Sequence, residues 1–247
     1  MKGDYNSSTC RLPVLFFISF LMGLFFCDPA LPYVFPAWNE GSSGYELSLL
    51  EAERDEKPSI LYLYIEPSIW CDKFNKDYLD APEVEKFLAE FPKTAVNTDG
   101  GDAEIEITKK FDAVNFPAFF ILIPSFDIKP ERIHPFSQKG NMSVSEFLQS
   151  LRDFMTSHYN RKAYSYYEKK DYDNAIKYFE MSIEIDPEKA YTYFAIGVVY
   201  HYIGVDKKDK EILHQAEEYY LKALEIEPKH KQSKDELATL RENMEKI

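Results

Sequence analysis

Ser59-Ile60-Leu61-Tyr62-Leu63-Tyr64-Ile65 and, after Glu66-Pro67-Ser68-Ile69, the run Trp70-Cys71-Asp72-Lys73-Phe74 decide the fold. The first part is almost wholly apolar and aromatic and does not alternate, which marks a strand buried on both faces. Trp70-Cys71 then opens a helical stretch, Cys71–Tyr78. Upstream, Tyr45–Glu56 reads as an amphipathic helix with Leu47, Leu50 and Ala52 inward, stopped by Lys57-Pro58. Downstream, Pro82 leads into a helix over Glu83–Phe91, and Thr94–Val96 is a short strand. Ala103–Phe111 is helical, Ala118–Ile123 is a second apolar strand behind Phe116-Pro117, and Arg132–Phe136 is an edge strand. Ser143-Val144-Ser145-Glu146 has capping-box spacing and starts a further helix. Strands alternating with helices predict a sheet covered on both faces.

In this order and spacing, residues 45–157 resemble thioredoxin-like proteins. A buried strand runs into Trp70-Cys71 at a helix start, and a proline, Pro117, precedes the next buried strand 46 residues later. The Lys57-Pro58 helix end and Ala81-Pro82-Glu83-Val84 are most similar to the module attached to bacterial thiol:disulfide interchange proteins. The resemblance implies that Pro117 is cis and faces Cys71. It also implies a Cys-x-x-Cys pair, but here the sequence is Cys71-Asp72-Lys73-Phe74, with Phe74 in place of the resolving thiol. Ile65 stands where thioredoxins carry a buried acid. A mixed disulfide on Cys71 has no neighbouring thiol to release it. A helix N-terminus and Lys73 favour a Cys71 thiolate, whereas Asp72 opposes it. Two readings follow for Cys71: a monothiol that captures client cysteines, or a relic thiol packed near Trp70 and Pro117.

The C-terminal part repeats. Tyr159, Ala163 and Tyr166 recur 34 residues later as Tyr193, Gly197 and Tyr200. Ala175, Phe179, Ser182, Ile185 and Pro187 recur 41 residues later as Ala216, Tyr220, Ala223, Ile226 and Pro228, the extra residues falling in the turn Gly204–His214. These residues closely resemble tetratricopeptide repeats, in which small residues mark close helix crossings and a proline ends each second helix. The repeats span 158–189 and 190–230, and 231–246 is a capping helix with a charged outer face. No Gly or Pro occurs between Val144 and Asp186, which predicts a rigid junction.

The resemblance puts the first helices on the concave side. The candidate partner-binding residues there are Asn160, Tyr164, Tyr167, Tyr191, Phe194, Val198, His201 and Tyr202, an aromatic surface suited to an extended peptide. Tyr164 and Val198 stand where a carboxylate-clamping array of this family would need Asn.

At the N-terminus, Lys2 and Arg11 precede an apolar run from Leu12 to Phe26, about 22 Å of helix at ~1.5 Å per residue. That length suits a signal core or anchor over residues 1–28, with the rest of the chain on the outer, periplasmic side of a cytoplasmic membrane and 29–44 as a linker. Leu24-Phe25-Phe26-Cys27 resembles a lipoprotein box only in its Leu and Cys. Net charge is −13, which disfavours nucleic acid as a partner. No phosphate loop, zinc spacing, haem motif or nucleophile elbow is present, and no cofactor is expected. The fold class is therefore an α/β thioredoxin-like domain followed by an all-α tetratricopeptide domain. The expected function is a protein-binding adaptor, with monothiol exchange through Cys71 as the alternative.

Overall fold

β2 (Ser59–Tyr64) is the centre of the sheet and is buried at every position. In the computed structural model, which describes residues 33–124, 129–137 and 140–247, it lies between β3 (Lys93–Asn97), parallel to it, and β4 (Ala118–Leu122), antiparallel. β1 (Asn39–Glu40) adds to the outer side of β3 and β5 (Glu131–Ile133) to the outer side of β4, giving the order β1-β3-β2-β4-β5. Helices cover both faces, so β2 needs no polar side and its sequence shows none.

Because side chains alternate across a strand, β2 divides its residues between two cores. Leu61 and Leu63 join Val96, Phe120 and Leu122 beneath α1 (Gly41–Arg54) and α4 (Asp102–Lys110), whose Tyr45 and Ile107 close that core. Tyr62 enters an aromatic layer on the opposite face, beneath α2 (Ile69–Phe74) and the first half of α5 (Val144–Glu168).

Several predicted elements shift. The inward face of α1 is Gly44, Tyr45, Ser48 and Ala52, while Leu47 and Leu50 are 48% and 65% exposed. The cause is Thr94 on β3, whose hydroxyl donates to Ser48 Oγ at 2.6 Å and is 3.0 Å from Gly44 O. Small residues let the helix sit close enough to satisfy it, and a Cβ on Gly44 would come within 3.0 Å of Asn39. The stretch read as a linker already holds β1 and the first turn of α1. Phe35 is buried there, its ring 5.6 Å from Tyr62 and 4.9 Å from Tyr64. The predicted edge strand breaks after Ile133, because Pro135 has no N–H to pair. β6 (Phe136–Ser137) instead forms a small hairpin with β7 (Gly140–Asn141). The Cys71 helix starts earlier, at Ile69, and passes into a π-turn over Asn75–Leu79. α3 (Pro82–Leu88) follows.

α5 has the expected capping box, with Ser143 Oγ accepting from Glu146 N at 3.2 Å and Glu146 Oε2 accepting from Ser143 N at 2.7 Å. It then runs unbroken through 25 residues, so the boundary read at 157/158 lies inside one helix. α5 pairs with α6 (Tyr172–Ile185), α7 (Ala190–Lys207) with α8 (Lys210–Ile226), and α9 (Lys231–Lys246) packs last. The extra residues of the second repeat do not make a long turn. They lengthen α7 and α8, leaving Lys208 in the left-handed region and Asp209 capping α8 through Glu211 N at 2.9 Å. The chain divides into the units Met1–Val34 and Phe35–Ile247. The apolar run Leu12–Phe26, with Cys10 and Cys27, lies outside the described residues. Among the described residues no helix is long and apolar enough to cross a membrane.

Candidate functional site

The first candidate surface surrounds Cys71. Ser68 caps α2 by accepting from Cys71 N at 3.3 Å, which holds Cys71 in the first turn. The thiol is free and 1% exposed. Phe74, one helical turn on, is fully buried. Its ring centroid lies 5.2 Å from Tyr62, 5.4 Å from Tyr78, 5.6 Å from Phe119 and 5.9 Å from Phe147. Phe74 is thereby part of an aromatic core. Lys73 does not serve Cys71, because its ammonium is paired with Asp77 and lies 5.8 Å from the Phe136 ring centre.

The Phe116–Pro117 peptide bond is cis. With Trp70, Phe74, Phe116 and Phe136, Pro117 lines a cleft of about 640 Å³ that Cys71 does not line. Arg132, not singled out by sequence, braces this loop by donating from Nη2 to Asn115 O and, at 3.2 Å, to Pro117 O. Burial lowers the pKa of its guanidinium. Ile69, Trp70 and Val114 are exposed apolar groups in the same segments. Isolated exposed apolar residues such as Ile69 and Val114 carry no signal in a sequence.

The second candidate surface is on the repeats, and the eight residues expected there separate. Asn160 is buried and donates to Thr192 Oγ1 at 3.3 Å, between α5 and α7. Phe194 and Val198 are half-buried against the core formed by Leu213, Tyr220 and Leu240. His201 is buried, with Nδ1 3.3 Å from Tyr220 Oη and Nε2 3.0 Å from Asn243 Nδ2. α9 is the reason for much of this. It covers the inner side of α7, so the second repeat presents a shorter open face than repeat geometry alone predicts.

Tyr164, Tyr167, Tyr191 and Tyr202 remain together. Tyr164 and Tyr191 share a hydroxyl hydrogen bond at 3.0 Å, and the Tyr164 ring meets Phe179 edge-on. Tyr167 and Tyr202 meet at 6.3 Å, and both contact Tyr172, a residue of α6 absent from the sequence-based set. Tyr191 and Tyr202 are 40% and 44% exposed. Burial raises the pKa of Tyr164, assisted by Tyr191. The four phenols offer aromatic area with rotatable donors.

The repeat shows in side-chain detail as well. Tyr166 stacks on Tyr178 at 5.4 Å and Tyr200 on Tyr219 at 5.5 Å, the same pair in each repeat. Gly197 sits where a Cβ would lie 2.6 Å from the Tyr220 ring, which accounts for the small residue at that crossing.

Sheet order, the cis proline and the helix hairpins define a thioredoxin-like domain joined to tetratricopeptide repeats. Residues 158–189 and 207–230 each match a sequence model of the tetratricopeptide repeat. Among solved structures, a thioredoxin from Thermus thermophilus is 22% identical, covering 47% of this chain and 86% of its own, at a TM-score of 0.39. The C-terminal domain of Neisseria meningitidis DsbD in its oxidised form is 16% identical, covering 47% of this chain and 98% of its own, at 0.40. The first tetratricopeptide domain of human RPAP3 is 16% identical, covering 37% of this chain and 94% of its own, at 0.22. No curated protein matches the chain.

Proposed function

We propose that the chain is a protein-binding adaptor. The repeats receive an extended peptide along Tyr164, Tyr167, Tyr191 and Tyr202, and the thioredoxin-like domain serves as a noncatalytic scaffold and second docking surface. The observation that carries this reading is Phe74, buried in the ring cluster where a second thiol would have to emerge. The tyrosine face supports it, since rigid amphipathic rings give contact area at little entropic cost. Export, with the apolar run Leu12–Phe26 as signal or tether, belongs to the same proposal.

The alternative is monothiol exchange. It draws on the place of Cys71 in the first turn of a capped helix, in a domain whose cis proline precedes β4 as the family pattern requires.

One experiment separates the two. The full chain, carrying a photo-cross-linking residue at position 202, is irradiated with its native partners present. The adaptor reading expects a covalent adduct that survives thiol reductant and is equally abundant in Cys71→Ser. It also expects Tyr191→Ala to reduce capture about thirtyfold, the loss that marks an aromatic hot spot. Capture that is lost in Cys71→Ser, or a partner released by reductant, would establish the monothiol reading instead.

A further inference from the structure

Tyr167, Tyr172 and Tyr202 form a closed trio where the end of α5, the start of α6 and the last turns of α7 meet. Their ring centroids lie 6.0, 6.3 and 5.7 Å apart, and the ring planes cross at 54°, 80° and 48°. Other tyrosines of the repeats are stacked, Tyr166 on Tyr178 at 6° and Tyr200 on Tyr219 at 14°. No pair of the trio is stacked, so its rings do not close off one another's faces. Tyr202 is exposed, and Tyr167 and Tyr172 are half-buried. The face of an aromatic ring carries partial negative charge and attracts a cation.

The charged groups acting on the trio have that same sign. Asp206 lies one turn beyond Tyr202 on α7, and both are exposed. Among the described residues Asp206 makes no ion pair. Lys207 follows it but projects about 100° away around the helix. Glu236 approaches from α9. Its basic partner among the described residues is His201 at 3.7 Å, and burial disfavours the charged imidazole. Burial raises the phenol pKa of Tyr167 and of Tyr172, and Tyr202 adds to both. The further charges are Glu236 for Tyr167 and Asp206 for Tyr172. Lys169, at the end of α5, is taken up elsewhere, over the Tyr166 ring at 5.8 Å.

Rings beside carboxylates that no lysine or arginine pairs with disfavour an acidic side chain. They suit an ammonium or guanidinium, whose stem lies on aromatic surface while its charge meets the acids. The net charge of −13 draws cations to the whole chain, but only the trio supplies rings and acids together.

We propose that Tyr167, Tyr172 and Tyr202, with Asp206 and Glu236, seat a lysine or arginine side chain of the peptide that the tyrosine face receives. This rests on the adaptor reading and narrows its partner to an extended segment with a basic anchor. Residues next to the anchor lie along Tyr164 and Tyr191.

The test immobilises the full chain and applies an equimolar library of hexapeptides with blocked ends and four randomised central positions. Retained peptides are sequenced by mass spectrometry. Lysine and arginine should rise about fivefold over the input at one position, the scale of a cation held on a partly exposed ring, and Asp and Glu should be depleted there. Tyr202→Leu, which leaves every charge in place, and Asp206→Asn, a surface change, should each reduce that enrichment. Retention that depends on Tyr191 without a basic preference would overturn this proposal and leave the adaptor reading standing. Basic enrichment undiminished in both variants would be general attraction to an acidic chain and would overturn it as well. No retention of any peptide would overturn both.

Discussion

Phe74 touches four rings of the hydrophobic interior and the Phe136 ring at 6.2 Å, edge-on. A buried aromatic with that many partners cannot be trimmed without leaving a void. Phe74→Ala is expected to lower unfolding free energy by about 3–5 kcal/mol in denaturant titration. A loss below about 1 kcal/mol would mean the cluster is not the core it is taken for. The loss of the second thiol and the presence of Pro117 are both plain from residue letters. The partner that fixes the turn after Phe74 is not: Tyr62 Oη donates to Asn75 Oδ1 at 2.8 Å, a buried pair between a strand and a π-turn. A one-dimensional pattern carries periodicity, and a hydrogen bond between two elements leaves no period to read.

Among the elements, helix faces proved harder to read than helix positions. The apolar positions of α1 favour Leu47 and Leu50 inward, but one threonine on β3 turns the small, polar face toward the sheet. The open side of α7 was expected only from the repeat resemblance, and packing shows that α9 covers part of it. His201 reports that contact. It lies 3.7 Å from Glu236 and 3.0 Å from Asn243, both on α9. Burial lowers its pKa from the ordinary 6.5, and Glu236 offsets part of the effect. The unfolded chain therefore binds this proton more readily than the folded one. The stability that His201 provides is complete above about pH 6.5 and is lost as pH falls through the lower folded value. Between about pH 7.5 and 5.5 the melting temperature of the native chain should fall further than that of His201→Gln. Parallel curves would show that His201 is not titrating against folding.

At the scale of the molecule, the two domains share a helix. The absence of Gly and Pro from the junction predicted rigidity, and the structure adds the contacts that enforce it. Tyr159 Oη donates to Glu56 O at 2.6 Å, and Lys177 pairs with Glu56 at 2.8 Å. The hydrogen bond is sheltered, while the exposed ion pair contributes little. Ser157 is exposed in the middle of α5, so Ser157→Pro breaks the helix backbone and otherwise removes only the local hydroxyl bond to Phe154 O at 2.8 Å. A cost of about 3 kcal/mol or more is expected, with the fluorescence of Trp38 and Trp70 and the helical circular dichroism no longer changing together. Coincident transitions with little loss would show that the domains do not depend on a continuous helix. The repeats were legible to the level of single residues because each repeat restates the same packing problem.

Cys71 is enclosed, at 1% exposure, and the proposed adaptor role depends on its staying so. Peptide mapping after timed iodoacetamide treatment of the native full chain tests this directly at that one residue. Alkylation of Cys71 at least about a hundredfold slower than in the urea-unfolded chain is the predicted result. Labelling as fast as in the unfolded chain, or recovery of Cys71 as a mixed disulfide after equilibration with oxidised glutathione, would contradict it.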